Sequence, residues 1–279
     1  MIGTMQLELA KAKRNHYAIP AVNAINPLMI KKYVALADLV QAPIIISLAE
    51  VHLEHMGLEE AVHAWQYYAT QTNVPVILHL DHGQDMEIVK KAIDLGFPSI
   101  MIDGSSFDFE TNVAMTREVV EYAKGKNVAV EGEIGHVGAG SNYEKDQKTE
   151  SIYTSVHEAV EFAGLTGVDS LAISIGTAHG HYEGVPHLNF ERLREIRDAV
   201  DAPLVLHGGS STGDDNLRRA IQLGISKINI FTDIVTSINS QLAGSHDYLD
   251  VLQKMDAGIE TCLTHYFDRF GTAKWGDVR

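Results

Sequence analysis

Three histidines in the sequence are each followed by glycine, and together they could do metal chemistry. His82, His179 and His207 occur in the stretches DHG, AHG and LHGG. Glycine allows the backbone to turn sharply and a ligand to come close. Three imidazoles with an open fourth position are typical of a catalytic Zn²⁺ site. Because the three lie far apart along the chain, their spacing alone leaves a network of satisfied polar groups as an equal alternative.

Carboxylates lie near the same positions. Asp81 directly precedes His82, and neighbouring side chains of a strand point to opposite faces, so only a bend at the strand end would bring both to one site. Unless it binds the metal, Asp81 is a candidate acid–base group, with a hydrogen-bonding partner for histidine as the alternative. Asp103 and Glu133 could orient ligands, bind a second cation or form salt bridges.

The other histidines have plainer interpretations. His79 shares a strand face with Asp81, two residues away, and we expect it to have a hydrogen-bonded role in the core. Seven further histidines lie in segments typical of helices, loops or termini. These are predicted to have surface or packing roles: His16, His52, His55, His63, His157, His246 and His265.

The elements that must position these residues alternate regularly. Short apolar runs rich in β-branched residues are followed by longer amphipathic segments such as DMEIVKKAIDLG, whose apolar residues recur at helical spacing. The runs predict eight strands, at 17–23, 43–49, 75–81, 99–103, 127–133, 170–175, 203–207 and 227–231. Continuous apolar strands, each followed by a helix, indicate a parallel sheet that is buried on both faces.

Eight such units in 279 residues predict an α/β fold of the (β/α)8 TIM barrel type, with a doubly wound open sheet as the alternative. No linker or low-complexity tract interrupts the pattern, so we expect one domain over residues 1–279. An additional C-terminal helix, over 247–270, would pack outside the barrel. The polar stretch 136–154, after the fifth strand, is a candidate lid.

A barrel would bring the polar residues at the strand ends to one face. In a parallel barrel, the carboxyl ends of the strands share the face that holds the active site. The polar residues at, near or just past those ends are Asn23, Ser47, Asp81, His82, Asp103, Glu131, Glu133, His179, His207, Asn229 and Thr232. Segments that are remote in sequence should therefore converge there.

Two turns late in the sequence could bind phosphate. HGGSSTGDDN, at 207–216, and INIFTD, at 228–233, lie at strands seven and eight, whose following loops are the usual phosphate site of such barrels. Backbone N–H groups of Gly208, Gly209 and Ser210, with Asn229 and Thr232, could hold a phosphate without lysine.

Two missing features narrow the chemistry. A Schiff-base aldolase needs a lysine inside the barrel near a strand end, whereas Lys227 begins strand eight and is expected at the opposite face. Imine chemistry is therefore disfavoured. The glycines of GHVGAG, at 135–140, have the wrong spacing for a dinucleotide-binding fingerprint.

Composition disfavours several kinds of partner. A net charge of −15 argues against nucleic acid and anionic membranes, and no run approaches the roughly 18 apolar residues that would span a membrane. The single cysteine, Cys262, excludes an internal disulfide framework and suits a reducing compartment. The first 17 residues lack the apolar region of a signal peptide, so a cytoplasmic location is predicted.

Several motifs occur together and in order: LHLDHG, VEGEIG, IGTAHGHY, LVLHGGSS, KINIFTD and DRFGTAKW. From about residue 1 to 275, the chain resembles the class II, zinc-dependent ketose-bisphosphate aldolases, the fructose- and tagatose-bisphosphate aldolase family. The resemblance implies a barrel with zinc on His82, His179 and His207. It also implies that Asp81 donates and accepts the proton at the C4 hydroxyl of the substrate.

The resemblance implies further binding sites. Asp103 and Glu133 match positions that can bind a second, non-catalytic metal. A monovalent cation (Na⁺ or K⁺) near the phosphate loops and a homodimer or homotetramer are also family traits. The implied substrate-binding residues, of which the last eight surround the phosphate of dihydroxyacetone phosphate, are Asn23, Ser47, Gly180, Gly208, Gly209, Ser210, Asn229, Ile230, Phe231 and Thr232.

Two departures from the family pattern bear on the chemistry. Many members carry a glutamate, thought to exchange the enediolate proton, about where Ser141 stands; Glu144 is the nearest candidate for this loop base here. Fructose-type members often have lysine in the turn after HGxY, where this chain has Glu183, and a negative charge there disfavours a nearby phosphate.

The expected activity is zinc-dependent, reversible aldol cleavage of a ketose (bis)phosphate to dihydroxyacetone phosphate and an aldehyde. A tagatose-type or other ketose phosphate is expected rather than strictly fructose 1,6-bisphosphate. Two alternatives are a metal-dependent hydrolase on the same barrel and a non-catalytic sugar-phosphate sensor.

Overall fold

The computed structural model describes residues 1–135, 153–180, 182 and 184–274. Most of the predicted lid at 136–154 lies outside the described residues, and so do Ser141, Glu144 and Glu183. The predictions for these positions therefore stay predictions.

Eight parallel strands close into a barrel, and their spatial order follows the chain. The strands are β1 (Ile19–Asn23), β2 (Ile44–Ala49), β3 (Val76–Gly83), β4 (Ser99–Ile102), β5 (Ala129–Ile134), β6 (Ser170–Ile173), β7 (Leu204–Leu206) and β8 (Ile225–Ile230). Each overlaps a predicted run. The (β/α)8 barrel is confirmed, and the open-sheet alternative is wrong.

Helices surround the barrel and close one end of it. They are α1 (Met5–Asn15), α2 (Pro27–Leu39), α3 (Leu58–Ala69), α4 (Met86–Leu95), α5 (Phe109–Ala123), α6 (Val156–Thr166), α7 (Phe190–Ala199), α8 (Asp214–Gln222), α9 (Thr232–Gln241) and α10 (Tyr248–Phe270), with 3₁₀ turns at Glu50–His52 and Thr272–Lys274. Within the described part of the chain, none of the helices is long and apolar enough to cross a bilayer.

Local sequence explains where these helices begin and end, as α4 illustrates. The Asp85 side chain accepts a hydrogen bond from the backbone N–H of Glu87 at 2.8 Å and caps the helix. Gly96 ends it with φ of 93°, a conformation that glycine adopts without steric cost. Val89 and Ala92 are buried on the inner face, in agreement with the helical spacing of the apolar residues.

The two ends of the barrel differ in polarity. Met5 and Leu9 of α1 are buried in one apolar cluster with Ile19, Ile45 and Ile77, which lie early in their strands. Each such side chain stabilises the fold by about 1.5–3 kcal/mol when it is fully buried. The amino end of the barrel is therefore a closed apolar core, and the polar strand ends are left to form a site at the other end.

The predicted C-terminal helix is confirmed as α10, which packs against α9 and α2. It begins after Asp247, whose side chain accepts from the N–H of Asp250 at 2.9 Å. It ends at Gly271, which has φ of 71°. These bounds agree with the predicted range of 247–270.

One prediction about β8 needs correction. The strand begins at Ile225, two residues before the predicted start, and Lys227 pairs with Ile19 near the amino end of β1. The side chain of Lys227 is fully buried, and its Nζ lies 2.8 Å from Oε1 of Glu131. The backbone of Lys227 therefore lies toward the amino end of the barrel, as predicted, but its side chain points into the interior of the barrel. A protonated amine held by a carboxylate is a poor nucleophile, so imine chemistry stays disfavoured for a different reason.

Candidate active site

The three glycine-flanked histidines converge at the carboxyl end of the barrel. The ring centroids of His82 and His207 lie 4.6 Å apart, and those of His82 and His179 lie 5.0 Å apart. One nitrogen from each ring can be chosen so that all three lie within 4.8 Å of one another. Residues from β3 and from the segments after β6 and β7 thus form a group that could hold a metal ion.

A bulge at the end of β3 brings Asp81 and His82 to the same cavity. Leu80 pairs with Ile100, but Gly83 pairs with Ile102, so β3 carries one extra residue between these pairs. His82 takes φ of 48°, which costs a non-glycine residue about 1–2 kcal/mol. The bend required by the sequence is therefore present, and the strain lies at a proposed ligand.

The turn after β7 packs directly on the segment that carries His179. Gly208 has φ of 66°, and a Cβ added there would lie 2.4 Å from the carbonyl oxygen of Ala178. The hydroxyl of Tyr182 accepts from the N–H of Ala178 at 2.6 Å and lies 2.8 Å from the Ala178 oxygen and 3.1 Å from that of Gly208. This contact fixes the loops that carry His179 and His207 relative to each other.

Hydrogen bonds to carboxylates orient two of the rings. Nδ1 of His82 lies 2.8 Å from Oδ2 of Asp103, and Nε2 of His207 lies 3.0 Å from Oε1 of Glu131. Since an ionised carboxylate can only accept, each of these nitrogens carries the proton. The other nitrogens, Nε2 of His82 and Nδ1 of His207, then face each other at 2.9 Å, a distance that requires a cation between them, either a proton or a metal ion. A metal ion that replaces this proton would find a lone pair on each ring, so the residues present suit a metal ion.

The charge around His82 also favours a cation. Burial alone would lower the pKa of His82, but the negative charge of Asp81, the hydrogen bond that His82 donates to Asp103 and the charge of Glu133 raise it to about 10. His82, Asp103 and Glu133 also form a second group whose ligand atoms lie within 4.8 Å of one another. The predicted role of Asp103 as a partner of a histidine is thus consistent with the geometry.

Asp81 is held as an anion by two amides. Asn23 donates to its Oδ2 and Asn229 to its Oδ1, both at 2.9 Å. Burial alone would raise the pKa of Asp81, but the charges of His82 and His207 lower it, and the net pKa lies well below the ordinary value. The side chain lines the cavity but belongs to neither ligand group.

A cavity of about 430 Å³ opens above these residues. The predicted site residues on its wall are Asn23, Asp81, His82, Asp103, Glu133, His179, Gly180, Gly208, Ser210, Asn229, Ile230, Phe231 and Thr232. Asn229 Oδ1 is buried there with no hydrogen-bond partner among the described residues, so it offers a free acceptor to a ligand. Most of the predicted site thus surrounds one space.

Two predicted substrate-binding residues do not line this cavity. Ser47 pairs with Asn23 in the barrel and is fully buried beneath the wall. The N–H of Gly209 donates to the carbonyl oxygen of Asn229 at 3.1 Å, so it is not free for a phosphate as the glycine pattern predicted. A Cβ on Gly209 would lie 2.4 Å from Ile228 Cγ2, which explains the glycine by packing against β8.

Residues 4–274 match the family model for class II fructose-bisphosphate aldolase. The chain belongs to the class II fructose-bisphosphate aldolase family. The resemblance inferred from the motifs is therefore confirmed, and the chain is an aldolase, a carbon–carbon lyase. Class II aldolases are generally zinc-dependent, and the histidine group of this class II aldolase has the donor types that zinc prefers.

Solved structures support the same assignment. The YdjI aldolase from Escherichia coli K12 is 33% identical, with a TM-score of 0.90 over 99% of this chain and 100% of that chain. A candidate fructose-1,6-bisphosphate aldolase from Coccidioides immitis is 28% identical, with a TM-score of 0.89 over 99% of each chain. The fructose-bisphosphate aldolase from Campylobacter jejuni is 22% identical, with a TM-score of 0.79 over 95% of this chain and 93% of that chain. This third structure shares the fold.

Sequence reasoning missed one histidine of this class II aldolase. His52, predicted to have a surface or packing role, lies on the cavity wall with its ring 4.9 Å from that of Phe231. Burial lowers the pKa of His52, and its buried Nδ1 has no partner among the described residues. Its place just after β2, at the carboxyl end of a strand, was the signal that could have identified it.

Proposed function

We propose that the chain catalyses reversible, zinc-dependent cleavage of a ketose phosphate to dihydroxyacetone phosphate and an aldehyde. A tagatose-type or other ketose phosphate is preferred over fructose 1,6-bisphosphate. One observation carries the proposal: His82, His179 and the Asp81 carboxylate, which lies outside the ligand group, line one cavity, and the third imidazole of that group, His207, is buried directly beneath it. A hydrolase that acts on amides would need the same ion and carboxylate, but not a phosphate-binding end to the cavity.

Asp81 is proposed as the proton acceptor in cleavage. Breaking the C3–C4 bond of the ketose turns the C4 hydroxyl into an aldehyde, so its proton must leave. Asn23 and Asn229 hold the two carboxylate oxygens in one orientation while a lone pair on each remains available. In condensation, the same carboxyl returns the proton. Zinc bound to the three histidines would supply Lewis-acid stabilisation of charge on the substrate oxygens.

The phosphate of the ketose is proposed to bind between the turns after β7 and β8. Gly208, Ser210 and Thr232 line this part of the cavity. Thr232 begins α9, and the positive end of a helix dipole favours an anion. Ser210 Oγ accepts from the N–H groups of Phe231 and Asp233 at 3.3 and 3.2 Å, which joins the two turns into one cradle.

The character of the cavity wall supports the substrate preference. Val51, His52 and Phe231 make part of the wall apolar and aromatic. Among the described residues that line the cavity, there is no lysine or arginine, whereas Asp103 and Glu133 carry negative charge. A second phosphate would therefore meet no cationic side chain from this part of the chain. This disfavours the fructose and tagatose bisphosphates alike and favours, among the proposed ketose phosphates, one that leaves a neutral aldehyde half.

A panel of ketose phosphates tests the proposal. Tagatose and fructose bisphosphates and several ketose 1-phosphates are incubated with metal-free enzyme, with and without added zinc, and dihydroxyacetone phosphate is measured. We expect release only with zinc, and faster release from a substrate other than fructose 1,6-bisphosphate. Parallel assays in Na⁺, K⁺ and choline buffers measure the proposed dependence on a monovalent cation.

Two outcomes would contradict the proposal. Hydrolysis of phosphate esters or amides without triose from any ketose phosphate would favour the hydrolase, and substrate binding without any turnover would favour the sensor. Borohydride added during turnover should trap no covalent adduct. A trapped adduct at Lys227 would replace the zinc mechanism with imine chemistry.

A further inference from the structure

A layer of ionisable side chains lies inside the barrel beneath the cavity. Lys227, Glu131, His79 and His207 are each at most 1% exposed, although charged groups are rarely buried unless they are paired. Neither Lys227 nor Glu131 lines the cavity, so neither can touch a substrate held there. Their burial needs a role other than substrate contact.

The contacts in this layer form a continuous chain that ends on a metal-facing histidine. Nζ of Lys227 lies 2.8 and 2.9 Å from the two carboxylate oxygens of Glu131 and 3.3 Å from Nε2 of His79. Nδ1 of His79 lies 2.8 Å from Oγ of Ser99. Oε1 of Glu131, which Lys227 contacts, also lies 3.0 Å from Nε2 of His207.

We propose that Lys227 is a positioning residue for the metal site and acts through Glu131. By binding both carboxylate oxygens, Lys227 fixes the plane of the carboxylate, and Oε1 is aimed at Nε2 of His207. The N–H of His207 is thereby kept on Nε2, and Nδ1 keeps its lone pair toward Nε2 of His82, 2.9 Å away. A carboxylate behind a metal-binding histidine orients the ring and strengthens it as a ligand.

His79 also helps to position Lys227, because its ring accepts a hydrogen bond from the amine and does not compete with it for the carboxylate of Glu131. The lysine ammonium can only donate, so Nε2 of His79 accepts from it and Nδ1–H donates to Ser99. Ser170 Oγ lies 3.2 Å from Oε2 of Glu131 and could donate a further hydrogen bond to the same carboxylate. Residues of strands β3, β5, β6 and β8 therefore all fix the orientation of one ring, that of His207 just after β7.

The inference rests on the proposed zinc site, and its test measures zinc binding rather than turnover. Zinc affinity is measured by competition with a chromophoric chelator, and the site geometry by the visible absorption of the cobalt-substituted protein. Wild type and His179→Ala are measured first. If wild type binds zinc no more tightly than His179→Ala, the proposed zinc site fails, independently of any role for Lys227.

Double variants avoid leaving an unpaired charge in the core, which the single variant Lys227→Met would do. Lys227→Met with Glu131→Met removes the ion pair and the acceptor for His207. Lys227→Met with Glu131→Gln removes the ion pair but keeps an oxygen acceptor at that position. Thr166→Val, which removes a buried hydroxyl bonded to the Phe162 carbonyl, is the control for loss of a buried polar group.

We expect zinc affinity to fall about 10–100-fold in the variant with two methionines and less in the variant with glutamine, each with an altered cobalt spectrum. Thr166→Val should bind zinc as wild type does. If both double variants bind zinc within about twofold of wild type with unchanged cobalt spectra, the layer is only a buried ion pair and the proposal is overturned. The same holds if Thr166→Val weakens zinc binding equally.

Discussion

Nδ1 of His207 lies 2.9 Å from Nε2 of His82, although 125 residues separate them along the chain. Each ring donates its other N–H to a carboxylate, Glu131 for His207 and Asp103 for His82. The two facing nitrogens therefore need a shared cation, and without a metal ion a proton on His82 supplies it. A metal ion bound between these rings and His179 would replace that proton.

Zinc should consequently stabilise the folded protein. At a free zinc concentration 100 times its dissociation constant, the free energy of unfolding should rise by about 2.7 kcal/mol, provided that the unfolded chain does not bind the ion. Urea unfolding of the metal-free and zinc-loaded protein measures this. His82→Ala should remove the increase, and His246→Ala, at an exposed histidine, should keep it. An equal zinc effect in both variants would contradict the assignment of His82 as a ligand.

Replacing Asp81 should separate catalysis from metal binding. Asp81→Ala removes the proposed proton acceptor without removing a proposed ligand, so the rate of dihydroxyacetone phosphate release should fall about 10²–10⁴-fold while one zinc is retained. Steady-state kinetics and metal analysis of the same sample measure both quantities. Asp94→Ala, on the surface, is the control. Loss of zinc in parallel with activity would make Asp81 a ligand instead.

Gly208 and Gly125 offer a matched pair for the phosphate turn. Both have positive φ, 66° and 77°, but a Cβ on Gly208 would lie 2.4 Å from the Ala178 oxygen, whereas one on Gly125 would meet nothing within 4 Å. Gly125→Ala should cost about 1–2 kcal/mol of stability from backbone strain alone. Gly208→Ala should cost more and should also raise the KM for the ketose phosphate. If the Gly208→Ala and Gly125→Ala variants were equally stable and the KM were unchanged, the close approach of Gly208 to the Ala178 oxygen would be unimportant.

The buried neutral state of His79 predicts a pH dependence of stability. Burial, followed by the charge of Lys227, lowers the pKa of His79 from 6.5 to about 3 in the folded protein. Below pH 6.5 the unfolded chain therefore binds a proton that the folded protein does not. The resulting loss of stability is about 1.4 kcal/mol for each pH unit between 6.5 and 3, and none arises from this group above pH 6.5.

Comparison with His79→Gln isolates this contribution from those of the other groups. In metal-free protein, the free energy of unfolding of wild type should fall more steeply with decreasing pH than that of His79→Gln. Urea unfolding between pH 7 and 5 gives both curves. Parallel curves would mean that His79 takes up a proton as easily in the folded protein as in the unfolded chain.

The sequence was sufficient to predict the barrel, because eight apolar strands that are each followed by a helix can form few other folds. It was also sufficient for the convergence of the three histidines, since all carboxyl ends of parallel strands meet at one face. His52 was missed because its 3₁₀ turn after β2 resembles an ordinary helical segment in sequence. Its ring lies on the cavity wall beside that of Phe231, a contact between distant segments that the sequence does not reveal.

Lys227 was misplaced because a strand start cannot be fixed to within two residues from apolar pattern alone. The predicted strand began at Lys227 and left out Ile225 and Ser226, which belong to β8. The position of a residue along a strand also does not predict where the end of a long side chain lies. The amine of Lys227 extends away from its own backbone and contacts Glu131. The free N–H predicted at Gly209 failed for a similar reason, because the carbonyl of Asn229 on β8 takes it.

Anomalous diffraction at the zinc absorption edge, from crystals of the zinc-loaded protein, tests the central claim most directly. The account predicts one peak about 2.0–2.1 Å from a ring nitrogen of each of His82, His179 and His207, with the Asp81 carboxylate outside bonding distance. A peak bound elsewhere, or three rings that face separate surroundings with no ion among them, would contradict it.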